Sequence, residues 1–151
     1  MEAFASFFRS IQKKAQQRYY PLVAGILNVL PPLKESGDSE NLIKALVVLI
    51  ELAEVAAKMF KQEFHNLVTF SIAVIQDKDL GDQARQNALE LMATFADYNP
   101  AMCRKDTDYT REMVTQCLRL MTDIGMDDED AEEWNASEDV SVYNTCSSKQ
   151  C

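Results

Sequence analysis

Carboxylates around a single tryptophan form the most distinctive chemical cluster of the sequence. Residues 127 to 139 hold eight acidic side chains and no basic one. Because like charges repel each other, we expect residues 126–139 to form an extended acidic loop. A solvated surface loop is the simplest interpretation, but an indole among carboxylates can also stack on a lysine or arginine of a partner. The predicted binding residues are Asp127, Asp128, Glu129, Asp130, Glu132, Glu133 and Trp134.

Calcium binding is the other chemistry that this loop suggests. Asp128, Asp130 and Glu132 alternate as ligands of a calcium loop do, but the glycine of the sharp turn and the spaced terminal glutamate are absent. We therefore expect no bound metal and no cofactor.

Catalytic chemistry finds little support in the rest of the sequence. His65 is the only histidine and follows an apolar Phe64, which is typical of a structural or solvent-facing side chain. No nucleophile motif or glycine-rich phosphate loop accompanies it. Cys103 and Cys117 lie near and within an apolar stripe, so packing is the expected role. The sequence predicts a protein that is not an enzyme.

Composition narrows the class of protein and the class of partner. The chain is 47% hydrophobic with four glycines and four prolines, which disfavours a turn-rich β protein. Its net charge of −9 argues against nucleic acid as a partner and favours basic proteins. No apolar run approaches the roughly 20 residues of a membrane span, so no membrane insertion is expected.

A helix over residues 82–97 shows the clearest periodicity. Ala84, Ala88, Leu91 and Phe95 recur at helical spacing, and Asp82 stands where an N-cap belongs. The small alanines let another helix approach closely, so this helix is expected to be sandwiched between neighbours. Its opposite stripe is polar and expected to face solvent: Gln86, Asn87, Glu90, Thr94 and Asp97.

Other apolar stripes predict further helices, and no segment shows a period of two. We expect Pro31–Pro32 to end the helix Tyr19–Leu30, because proline cannot donate to the helical ladder. The remaining helices are predicted over Leu42–Ala57, Phe64–Ile75 and Tyr109–Ile124. The expected buried positions include Leu22, Leu42, Leu46, Leu49, Ile50, Ala53, Ala57 and Met121.

The spacing of these helices predicts an all-α solenoid. Leu22-Val23, Leu67-Val68 and Met113-Val114 align with steps of 45 and 46 residues. Helix pairs at this period are typical of HEAT or armadillo-like repeats, and a compact antiparallel bundle is the competing architecture. The predicted division is the end of a preceding repeat (1–15), two repeats (16–59 and 60–99), a further first helix (100–125), the acidic loop (126–139) and an atypical unstructured tail (140–151).

Two levels of motif carry a resemblance to a known family. Asp82-Gln83-Ala84-Arg85, followed by Ala88-Leu89, resembles the second-helix signature of HEAT repeats. The longer strings over residues 16–56, 85–105 (RQNALELMATFADYNPAMCRK) and 112–139 resemble the middle repeats of importin-β (karyopherin-β) nuclear import receptors. The most similar subfamily carries ribosomal proteins and histones. The resemblance covers roughly residues 16 to 139.

This resemblance implies a superhelix of about two and a half HEAT repeats, with second helices on its concave side. It implies binding of basic nuclear localisation signals, the Ran GTPase and FG nucleoporins, and a location in cytoplasm, nucleus and nuclear pore. The acidic loop would contact Ran or basic cargo such as ribosomal proteins and histones. The concave-face candidates are Asn87, Glu90, Thr94 and Asp97. A truncated receptor fragment is the leading interpretation, and a structural HEAT scaffold outside transport is the alternative.

Overall fold

Helices make up the part of the chain that the structure describes. The structure is a computed structural model and describes residues 2–11 and 13–122. Its helices are α1 (Glu2–Ser10), α2 (Lys13–Gln16), α3 (Leu22–Leu27), α4 (Leu30–Glu35), α5 (Ser39–Ala56), α6 (Phe64–Gln76), α7 (Asp82–Tyr98), α8 (Pro100–Cys103) and α9 (Tyr109–Thr122). Within the described ranges no residue lies in a strand, and the predicted all-α class is confirmed.

The helix α5 matches its prediction closely. Gly37 has a φ of +69°, and Asp38 then caps α5 by accepting a hydrogen bond from the Asn41 backbone N–H at 3.2 Å. Because neighbours cover the helix on several sides, its buried positions run nearly all round it. The predicted positions are all buried, namely Leu42, Leu46, Leu49, Ile50, Ala53 and, just past the helix end, Ala57.

The segment before α5 differs from its prediction. One helix was expected over Tyr19–Leu30, but the chain forms two short helices, α3 and α4. Pro31 and Pro32 lie in the first turn of α4, where the backbone N–H groups lack helical partners in any case. The proline pair therefore begins a helix, and the prediction that it ends one was wrong. Leu22, predicted to be buried, is 53% exposed.

The turn between α6 and α7 is held by a buried arginine. Arg85 donates from Nε to the Ile75 carbonyl oxygen at 2.9 Å, and its Nη1 lies 3.3 Å from Oδ1 of Asp82. The prediction that Asp82 caps α7 was wrong, because α7 begins one residue earlier than that role requires, and Gly81 occupies the cap position.

Two layers of helices build the described unit up to Leu120. In the second-helix layer, α1 packs on α5 and α5 packs on α7. In the first-helix layer, α4 packs on α5 and α6 packs on α7. The helices α5 and α7 thus each contact their own first helix and a neighbouring second helix, which is the packing of a solenoid. The solenoid fold is confirmed, while the exact repeat boundaries stay a prediction.

The start of α9 contacts α6 and α7 through Tyr109. The ring of Tyr109 lies 5.6 Å from that of Phe64, and its hydroxyl donates to the Met92 backbone oxygen. Met121, predicted to be buried, is 69% exposed in the structure. The periodicity marks an apolar face correctly, but burial also requires a neighbour on that face.

Candidate partner-binding surfaces

The predicted acidic loop lies outside the described residues. This applies to Asp127, Asp128, Glu129, Asp130, Glu132, Glu133 and Trp134 alike. Their role in binding Ran or basic cargo stays a prediction.

The predicted polar stripe of α7 divides into two kinds of residue. Glu90 and Asp97 are exposed, whereas Asn87 and Thr94 are only 4% and 7% exposed. The expectation that all four face solvent was wrong for the last two. The reason is that α5 and α6 both pack on α7 and leave only a narrow solvent-facing strip.

Each of the two buried polar side chains makes a hydrogen bond within α7. Gln83 donates from Nε2 to the Asn87 side-chain oxygen at 2.9 Å. The Thr94 hydroxyl donates to the Glu90 backbone oxygen at 2.8 Å. These bonds are local to the helix, so Asn87 and Thr94 are poorly placed to contact a partner.

A third carboxylate extends the exposed strip of α7 onto α5. Glu54 is exposed and lies fifteen residues after the first residue of α5, and Asp97 lies fifteen residues after the first residue of α7. Among the described residues, Glu54, Glu90 and Asp97 form no salt bridge. The sequence prediction missed Glu54, although aligning the first residues of α5 and α7 places it at the position of Asp97. We call these three residues the carboxylate row.

Two positive side chains, one on α1 and one on α5, already have acidic partners. Arg9 of α1 lies 3.4 Å from Glu51, and Lys44 lies 2.5 Å from Glu40. The carboxylate row therefore presents negative charge that the nearby bases do not neutralise by direct pairing.

A groove opens between the neighbouring first helices. Its volume is about 140 Å³, and it separates the α3–α4 segment from α6. A cavity of roughly 150 Å³ with apolar walls can hold a benzene ring, so this groove has the size for one aromatic side chain. Its lining includes Leu27, Leu30, Pro31, Leu67 and Phe70, with Asn66 among its polar groups.

Two reactive side chains of the described residues, Cys103 and Tyr109, are buried in the core. The thiol of Cys103 is buried, and this burial raises its pKa. Burial also raises the pKa of the Tyr109 hydroxyl, with a further contribution from Cys103. His65 has a side chain that is 73% exposed and lies 3.0 Å from an Asp106 oxygen, so the predicted solvent-facing histidine is confirmed.

The described ranges contain neither a cluster of metal-ligating side chains nor a helix that could span a membrane. No group of three or more metal-ligating side chains occurs there. The helices in the same ranges are too short or too polar to cross a membrane.

Comparisons with known proteins find two matching families and a relative of this chain. The family described as importin repeat matches residues 77–147, and that described as IPO5-like, TPR repeats matches residues 1–70. Importin subunit beta-3 of Saccharomyces cerevisiae is 36% identical over 138 residues, which cover 91% of this chain and 13% of that protein.

Solved structures of one karyopherin share the fold. Kap121p bound to RanGTP, to Nup53p and to Pho4p each matches with a TM-score of 0.81 and 36% identity. Each match covers 87% of this chain and 13% of the Kap121p chain. The chain thus spans only a small part of the length of these relatives.

Proposed function

Because the chain belongs to the importin-β family, we propose that it serves protein import into the nucleus as a binding segment without catalytic activity. Its partners would be basic nuclear localisation signals, nucleoporins and the Ran GTPase. Ribosomal proteins and histones are the proposed cargo, because their surfaces are strongly basic. The protein would then act in the cytoplasm, in the nucleus and at the nuclear pore.

The carboxylate row is the observation that carries the cargo proposal. Glu54, Glu90 and Asp97 are exposed on one layer of helices and make no salt bridge among the described residues. Charges arranged in this way attract a lysine- or arginine-rich segment, speed its encounter and make binding sensitive to salt. The row replaces part of the predicted stripe, since Asn87 and Thr94 are buried.

The groove between first helices supports the nucleoporin proposal. It lies on a different layer from the carboxylate row, and six of its nine lining residues are apolar. An aromatic side chain from a flexible repeat could enter it while a basic segment occupies the carboxylate row. The two surfaces would therefore bind different partners at the same time.

Two double variants, each of which removes two negative charges, test the cargo surface. In Glu54→Gln/Asp97→Asn two carboxylates of the row become amides of similar shape. The affinity for a lysine- and arginine-rich signal peptide, measured by fluorescence anisotropy at low salt, should fall about two- to thirtyfold, since two exposed ion pairs contribute roughly 0.2–1 kcal/mol each.

The control is Glu35→Gln/Asp79→Asn, which removes the same charge from exposed positions outside the carboxylate row. It should bind the peptide like the parent chain. An equal loss in both variants would show that only net charge matters and would contradict the assignment. A parent chain that binds neither this peptide, nor a phenylalanine–glycine peptide, nor GTP-loaded Ran would contradict the proposed function.

A further inference from the structure

The groove between first helices has two walls that are not neighbours in the chain. Leu27 and Leu30 lie in one wall and Leu67 and Phe70 in the other, with the whole of α5 between them in sequence. On the second-helix layer α5 and α7 pack extensively, whereas α4 and α6 meet at few points. The width of the groove therefore depends on the contacts that bridge its two walls.

One ion pair forms such a bridge. Lys34 lies in the last turn of α4, Asp77 directly follows α6, and the ammonium group donates to the carboxylate. The two side chains are 25% and 27% exposed, so solvent ions screen them less than a fully exposed pair. The Asp79 backbone N–H also donates to the Asp77 carboxylate at 3.2 Å, which fixes its orientation.

This bridge lies beyond one end of the groove. On α6 the lining reaches Phe70, and seven further residues, about 10 Å of helix, lead to Asp77. On α4 the lining reaches Pro31, and Lys34 follows within one turn. A contact at this place joins the far ends of both walls.

We propose that the Lys34–Asp77 ion pair is a clasp that holds the walls of the groove at the separation that admits an aromatic side chain. This inference rests on the proposed binding of nucleoporins in the same groove. Lys34 acts as a positioning residue, because it shapes the groove from beyond the residues that line it. Since salt weakens the clasp, salt also weakens the binding of an uncharged aromatic peptide, which a purely apolar groove would not show.

Three variants test the clasp. Lys34→Met removes the charge and keeps an unbranched side chain, Lys34→Arg keeps the charge, and Lys44→Met disturbs a different ion pair that lies within α5. The probe is a fluorescently labelled, uncharged phenylalanine–glycine repeat peptide at low and high salt. Loss of a preorganised groove should weaken binding about three- to tenfold in Lys34→Met. Lys34→Arg and Lys44→Met should bind like the parent chain.

Circular dichroism shows that each variant is folded before its affinity is compared. The clasp would be overturned if the parent chain and Lys34→Met bound the peptide with equal affinity. It would also be overturned if the affinity of the parent chain for the peptide did not change with salt concentration. If the parent chain does not bind the peptide at all, the proposed nucleoporin binding fails, and methyl NMR decides about the clasp. Nuclear Overhauser effects between Leu30 and Leu67 should then weaken in Lys34→Met and persist in Lys44→Met; unchanged effects in Lys34→Met would overturn the inference.

Discussion

Burial decides what each polar side chain of this protein can do. Glu90 and Asp97 keep their carboxylates in solvent and can attract a basic partner. Thr94, on the same helix, is buried, and its hydroxyl donates a hydrogen bond to a backbone oxygen one turn away. Tyr109 is also buried: its ring packs on Phe64, and its hydroxyl donates a hydrogen bond to a backbone oxygen of α7. It joins successive helix pairs.

The hydroxyl of Tyr109 can be removed without changing the shape of the ring. Tyr109→Phe loses the hydrogen bond to the Met92 oxygen, and the free energy of unfolding should fall by about 1 kcal/mol. Urea denaturation followed by circular dichroism measures this change. Tyr98→Phe, at a position that is 57% exposed, is the control and should leave stability unchanged. Equal stability of both variants would mean that the bond contributes nothing.

At the scale of helices, the spacing of apolar residues predicts which face of a helix is buried. It does not predict features that depend on which other helices pack against that helix. The buried face of α5 follows from its apolar period. The break between α3 and α4 could not be read from the period, since proline can begin a helix as well as end one. Asn87 looked solvent-facing because polarity alone does not reveal that helices pack on both sides of α7.

The link between α4 and the turn after α6 should make stability depend on pH. The hydrogen bond from Lys34 is the main reason that the pKa of Asp77 lies below its usual value of 3.8. A lowered pKa in the folded state stabilises the protein above the unfolded pKa, and this contribution is lost as the pH falls through the folded value. The stability difference between the parent chain and Asp77→Asn should therefore be largest near pH 7 and shrink below about pH 4.

Thermal unfolding of both proteins across this pH range measures that difference. Other carboxylates, including Asp38, are shared by both chains and cancel in the comparison. Asp79→Asn, at an exposed neighbouring position, is the control and should show no such trend. A difference that stays constant from pH 7 to pH 3 would mean that Asp77 is not stabilised by its charge.

For the whole molecule, the order of packing makes α5 the centre of stability. It contacts α1, α4 and α7, so it couples three neighbouring helices. In repeat proteins each unit is stabilised mainly by the interfaces with its neighbours. The partner-binding surfaces depend on the same coupling, because the carboxylate row and the groove each draw residues from two successive helix pairs. Losing one interface should therefore disturb both surfaces together.

A cavity at the centre of α5 tests this coupling. Leu49 is fully buried, and Leu49→Ala should lower the free energy of unfolding by about 2–5 kcal/mol. Val47→Ala, on the same helix at a position that is 41% exposed, should cost much less. Because α7 depends on α5 for its packing, hydrogen exchange at the amides of α7 should accelerate along with that of α5 in Leu49→Ala. Protection that is lost in α5 but kept in α7 would show that the helix pairs unfold independently, and a binding surface on α7 alone would then survive the loss of α5.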